Sequence, residues 1–239
     1  MGLTIGVGFL AREARDNVEE LEAFKEVYHA LNTVLAEAGM PLHSEPLGIP
    51  ESDSFDAQML GYTGLHAIRR LAAYYVCEGR LPPPGSFDRF AEDPVTELLY
   101  QQLQKNLAPQ NANFLPSLLS AEQAAPSFQH LMLHSDCEGF YLPTDFEHVI
   151  FDNVEPQRAG IGGMIGSAPR LLKECLVLAQ LINLPLDLDI ESEEMWEAAD
   201  DPPSEGELWQ IYGIEAFGIA RLIRGCEAAI KHKAVLAFC

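Results

Sequence analysis

The sequence predicts an α+β protein, predominantly helical, in which a small and mainly antiparallel sheet gathers scattered strands within a single domain over residues 1–239. Three observations predict it. Long segments carry apolar residues every three or four positions, the period of a helix buried along one side. Short β-branched or aromatic runs, bounded by Gly and Pro, stand apart from these segments. No internal repeat of about 20–50 residues runs through the chain, which sets a solenoid aside. With 48% hydrophobic residues there is ample material for a core, and disorder is not expected.

The elements follow in order. Leu3 to Leu10 reads as a strand. From Ala11 the period changes, and Val18, Leu21, Phe24, Tyr28, Leu31, Leu35 and Ala38 form the stripe of one helix about seven turns long. Gly39 and Pro41 end it. Residues 40–55, with Pro41, Pro46, Gly48 and Pro50, read as a loop. A second helix covers Leu65 to Cys77 and stops at Gly79 and the stiff Pro82-Pro83-Pro84-Gly85 turn. Pro94 suits the first turn of a third, running to Leu107. A short helix is expected around Leu115 to Glu122.

Phe128 to Leu133 and Glu147 to Phe151 read as strands joined by a turn-rich connection. Ser167 followed by Pro169 opens a helix that continues to Leu184. The last helix is expected from Ser204 to His232. Its inner face carries Leu208, Ile211, Tyr212, Ile219, Leu222, Ile223, Cys226 and Ile230; Arg221, Arg224, Glu227 and Lys231 lie on the outer face. Glu215 interrupts the apolar stripe, so it must be paired, hydrogen-bonded or protonated. Arg69 or Arg70 in the second helix could supply its partner.

Thirty-six acids against 15 bases leave a net charge of −21. Binding to phosphate needs clusters of Lys and Arg, so nucleic acid is set aside as a partner, and so is an anionic membrane surface. No run of about 18 apolar residues exists to span a bilayer. The start of the chain lacks the basic region of a secretory signal. Five cysteines stand far apart with no CxxC pair, which suits a reduced, cytoplasmic compartment.

The charge is concentrated in an acidic loop over residues 186–206. From Asp187 to Glu207 there are ten acids and no base in 21 residues, with a short helix expected around Trp196. Such a block can be simply a solvated face. As a docking surface, Glu193, Glu194, Trp196 and Glu197 would meet a basic protein partner, because complementary charge speeds encounter and tryptophan anchors interfaces.

The second candidate lies between His130 and His148, which holds three of the seven histidines and four acids. His134, Asp136, Glu138, Tyr141 and Asp145 are its candidate ligand-binding residues. Imidazole beside carboxylate can ligate a divalent metal or act as an acid–base pair. Against this, neither HExxH nor a paired HxH occurs, and Asp136 with Gly139 is what a plain turn requires. No cofactor is predicted and no metal site is assigned, although a divalent metal fits the residue types. Gly160, Gly162 and Gly166 are spaced as GxGxxxG, not as a dinucleotide fingerprint, and no Walker lysine follows; a closely packed loop is expected there.

The run from His134 through Asp136, Cys137, Glu138, Gly139, Tyr141, Pro143 and Asp145 to Phe146 resembles a motif of uncharacterised bacterial proteins. A Gly-rich turn with a helix (Gly160 to Leu184) and a loop of the type Gly39 to Pro46 accompany it. The resemblance implies a bacterial cytosolic origin and carries over no catalytic residue. The leading expectation is therefore a non-enzymatic binding protein whose acidic surface engages a protein partner, as bacterial immunity proteins do. The alternative is a metal-dependent hydrolase or small-molecule-binding protein built on the loop from His134 to Tyr141.

Overall fold

The computed structural model describes residues 3–16, 18–84, 92–107, 127–152, 154, 158 and 160–238. Its strands are β1 (Leu3–Val7), β2 (Phe55–Met59), β3 (Gly139–Leu142), β4 (Ile150–Phe151), β5 (Met164–Ser167) and β6 (Leu236–Phe238). They form one sheet in the order β2-β1-β6-β3-β5-β4. β1 and β6 pair inside the sheet, with Ile5 opposite Phe238. β3 and β5 run parallel while the other pairs run antiparallel, so the sheet is mixed.

Helices cover both faces. α1 (Phe9–Asp16) and α2 (Val18–Glu37) lie on one side; α3 (Gly61–Glu78), α6 (Ala168–Leu181) and α9 (Gly213–His232) lie on the other. The strand pleat divides the core accordingly. Phe140 and Leu142 of β3 pack with Leu31 and Leu35 of α2, whereas Tyr141 between them joins the α9 side. α9 is the centre of the larger helical layer and packs against α3, α6, β1 and β2. The architecture is thus α+β and mostly helical, with the core in two main layers, one on each face of a single sheet. Among the described residues no helix is long and apolar enough to cross a membrane.

α3, α4 (Pro94–Leu107) and α6 stand close to where the sequence places them. Ser167 caps α6 by accepting a hydrogen bond from the Arg170 N–H at 3.4 Å. Other boundaries differ for physical reasons. β1 ends at Val7, not Leu10, because Gly8 takes a φ of +89° and turns the chain into α1. The single helix read from Ala11 is two, α1 and α2. The loop over 40–55 leads, through a 3-10 turn at Glu51–Asp53, into β2, a strand that the sequence pattern does not signal. The expected helix at Leu115 to Glu122 lies outside the described residues. The last helix is divided into α8 (Leu208–Ile211) and α9, and Arg221, expected outside, is fully buried.

The largest difference is at Phe128 to Leu133. This segment is not a strand but one helical turn, α5 (Gln129–Met132). The carboxylate of Glu174, buried in α6, accepts the N–H of His130 at 3.2 Å and of Leu131 at 2.8 Å. At the other end Arg69 donates to the carbonyls of Leu131, at 3.0 Å, and His134, at 2.6 Å. Two buried side chains therefore satisfy backbone groups that a strand would send to a neighbour. Burial pushes the Glu174 carboxyl up to about 8, against the pull of those two N–H groups.

Glu215 is buried in the first turn of α9, as its place in the apolar stripe requires. The arginines expected to pair with it have other roles: Arg69 clamps α5, and Arg70 binds Asp93 at 2.9 Å. Burial pushes the Glu215 carboxyl up to about 7, with the charge of Arg70 pulling the other way. Its pKa is 4.5 where no fold perturbs it, so the unfolded chain releases the proton first and stability falls as pH rises from about 4.5 to about 7. Glu215→Gln should therefore be near neutral at pH 4.5 and stabilising by up to about 3 kcal/mol at pH 8, measured by urea unfolding. An equal effect at both pH values would refute this account.

Candidate functional site

The acidic block is a folded feature. α7 (Glu193–Asp200) is capped by Ser192, whose hydroxyl accepts the Met195 N–H at 3.3 Å. Glu193 and Glu194 stand in its first turn, where the helix dipole favours negative charge. Met195, Ala198 and Ala199 are buried towards α9, which leaves Glu193, Glu194, Glu197 and Asp200 exposed. The approach is close because Gly213, at the start of α9, has no side chain. A Cβ there would lie 1.8 Å from the Ala198 carbonyl oxygen.

A buried cation holds the strip in place. Arg221 projects from α9 with its guanidinium 3.3 Å from the Phe217 ring centroid and 5.2 Å from that of Trp196. It donates to Glu191 at 3.0 Å, and the Trp196 indole N–H donates to the same carboxylate at 3.3 Å. Burial lowers the Arg221 pKa to about 10, which still leaves it charged at neutral pH. Sequence pattern placed Arg221 on the outer face; its position four residues after Phe217, beneath Trp196, is visible only in the folded chain.

All ten carboxylates from Asp187 to Glu207 are exposed, but they differ in what they do. Glu191 belongs to the clamp. Glu194 accepts from Gln210 at 3.0 Å, and Asp189 accepts its neighbour Glu191 N–H at 3.0 Å. Among the described residues no hydrogen bond or ion pair engages the carboxylates of Asp187, Glu193, Glu197, Asp200, Asp201 or Glu205. Trp196 is half-buried, an anchor of the strip more than a free probe.

The central loop distributes its candidate residues. His134 is buried, stacked on Tyr141 with ring centroids 4.1 Å apart, and its Nδ1 bonds the Ser135 carbonyl at 3.0 Å. Burial lowers its pKa to about 4, so the imidazole is neutral. Asp136 pairs with Arg69 and lies 3.4 Å from His66. These two candidates share a cavity of about 410 Å³ with His66, Arg69, Tyr100 and Gln104, none of which the sequence singled out as lining a site. The other three stand apart. Glu138 is exposed. Tyr141 is buried and donates to the His130 carbonyl at 3.0 Å, and Asp145 pairs with Arg170 and Lys173. Among the described residues no three His, Cys, Asp or Glu side chains gather as a metal centre needs. The Gly-rich loop is closely packed: a Cβ at Gly162 would meet the Glu138 carbonyl oxygen at 2.5 Å.

Fold and surface together define a strongly acidic α+β protein that presents carboxylates from a supported strip. The model of the family described as "Putative DNA-mimic protein" matches residues 1–238, and the chain belongs to that family. No curated protein and no solved structure matches the chain. The family corrects the expected partners. The shortage of Lys and Arg set nucleic acid aside as a partner, and the acidic block pointed to a basic protein. The family's description instead names DNA as the molecule imitated.

The clamp separates structural from free carboxylates. Glu191→Ala should cost roughly 1–3 kcal/mol, because it leaves Arg221 buried without its anion, discounted for the half-exposed position of Glu191. Glu193→Ala and Glu197→Ala should each stay within about 0.5 kcal/mol of the parent. Guanidinium unfolding of the three variants tests this, and equal losses would contradict the assignment.

Proposed function

We propose that this protein is a DNA mimic that occupies the DNA-binding surface of a protein partner without catalysing a reaction. One observation carries the reading: ten exposed carboxylates, without a base among them, stand on a strip held by a cap, a close helix contact and the Arg221 clamp. Duplex DNA presents about one charge per 1.7 Å of its axis, and proteins recognise that array with Lys and Arg. Along α7 the axial rise is about 1.5 Å per residue, so Glu193 and Glu197 stand roughly 6 Å apart. That is about every second phosphate of one strand. Preorganisation matters because a carboxylate already in place loses little freedom on binding. Long-range attraction between such a surface and a basic DNA-binding face raises the encounter rate and weakens with salt.

The test is retention of cell proteins on the immobilised chain, followed by elution with excess duplex DNA. Proteins released by the duplex should be DNA-binding proteins, and Glu193→Lys, Glu194→Lys and Glu197→Lys combined should abolish their retention. With a purified partner the same variant should slow association by about tenfold or more and flatten its salt dependence. Retention that persists in excess duplex, or is indifferent to the charge reversal, would exclude DNA mimicry by this strip.

A further inference from the structure

Next to the strip lies a cleft of about 440 Å³. One wall is the start of the strip, Asp187 to Ile190. The other is Ser52 to Phe55, leading into β2, and α9 forms the floor. Carboxylates therefore border it from both sides, Asp187 and Asp189 on one and Asp53 on the other, while Leu188, Ile190 and Phe55 contribute apolar surface.

Cations are already present and must be counted. Lys231 lies 3.3 Å and His232 3.5 Å from Asp53. Arg224 lies 3.3 Å from Glu227 and donates to the Leu186 carbonyl at 2.9 Å. Lys231 is 67% exposed, so its pairing is screened and exchangeable. Four lining acids, Asp53, Asp187, Asp189 and Glu227, still outnumber the lining Lys231 and Arg224. On the strip side Asp187 is uncommitted and Asp189 accepts only a backbone N–H.

The geometry points to a groove mimic: this cleft receives an arginine from an extended arm of the DNA-binding partner, an inference that rests on the DNA-mimic reading. In DNA, two phosphate rails concentrate negative potential over a narrow minor groove, and proteins answer by inserting arginine. Here two acidic walls stand in for the rails. An arginine suits them better than a lysine, because its stem packs on apolar side chains while its planar fork can engage a carboxylate with two hydrogen bonds.

The full-length, ¹⁵N-labelled protein is titrated at low salt with the capped peptide acetyl-Arg-Gly-Arg-amide and with its Lys-Gly-Lys counterpart. Shift changes should concentrate at residues 52–55 and 187–190, with the Arg peptide binding more tightly. Asp187→Asn with Asp189→Asn, which retains the side-chain acceptor for the Glu191 N–H, should weaken binding about tenfold. Glu193→Gln with Glu197→Gln should change it less than about twofold. Shifts confined to α7, equal loss in the two double variants, or no shifts at all would overturn the cleft assignment. If the Asp187/Asp189 variant retains DNA-displaceable proteins as well as the parent does, the groove mimic falls while DNA mimicry by the strip stands. If the parent retains none, the underlying reading falls.

Discussion

Self-repulsion is the constraint on which this structure depends. A chain of net charge −21 gains nothing from compaction electrostatically, so apolar burial must outweigh the repulsion. α9 is the element that makes this possible. Its buried face runs from Ile214 through Phe217, Leu222 and Cys226 to Ala229, and it contacts the sheet, α3, α6 and α7. At about 25 cal/mol per Å² of apolar surface, a core of this extent can oppose both chain entropy and repulsion. Repulsion is also lessened by distance, because the acidic strip is exposed to solvent, where it is screened.

The scarce cations follow the same logic. Arg69, Arg70 and Arg221 are all buried, although arginine is among the residues least often found inside. Each joins segments far apart in sequence. Arg69 ties α3 to the end of α5, Arg70 ties it to Asp93 before α4, and Arg221 ties α9 to the loop at Glu191. Placing positive charge inside leaves the outside more acidic than composition alone suggests.

The region that looked most like a reactive centre has structural employment for most of its polar groups. Glu174, Arg69, Tyr141 and His130 close a hydrogen-bond system around α5, and the Ser167 N–H donates to His130 Nδ1 at 3.1 Å. Burial keeps His130 and His134 neutral, each with a pKa lowered to about 4. Polar residues concentrated in sequence thus became the connectors between α3, α5, α6 and β3. Buried polar groups must find partners, and a segment rich in them is a natural place to join elements.

Period, capping residues and composition determined much of this protein without its fold. α3, α4, the Ser167 start of α6, the short helix at Trp196 and the acidic block are all legible, because each depends on neighbours three or four residues away. The short strands β2, β3, β5 and β6 were not legible: three to five residues carry too little pattern, and β3 is buried on both faces, so it does not alternate. α5 is a helical turn only because Glu174, more than 40 residues away, accepts its N–H groups. Likewise, sequence named Glu193, Glu194, Trp196 and Glu197, but only tertiary structure separated free carboxylates from the clamped Glu191. It alone brought Asp53 opposite Asp187, because long-range packing decides which side chains share a space.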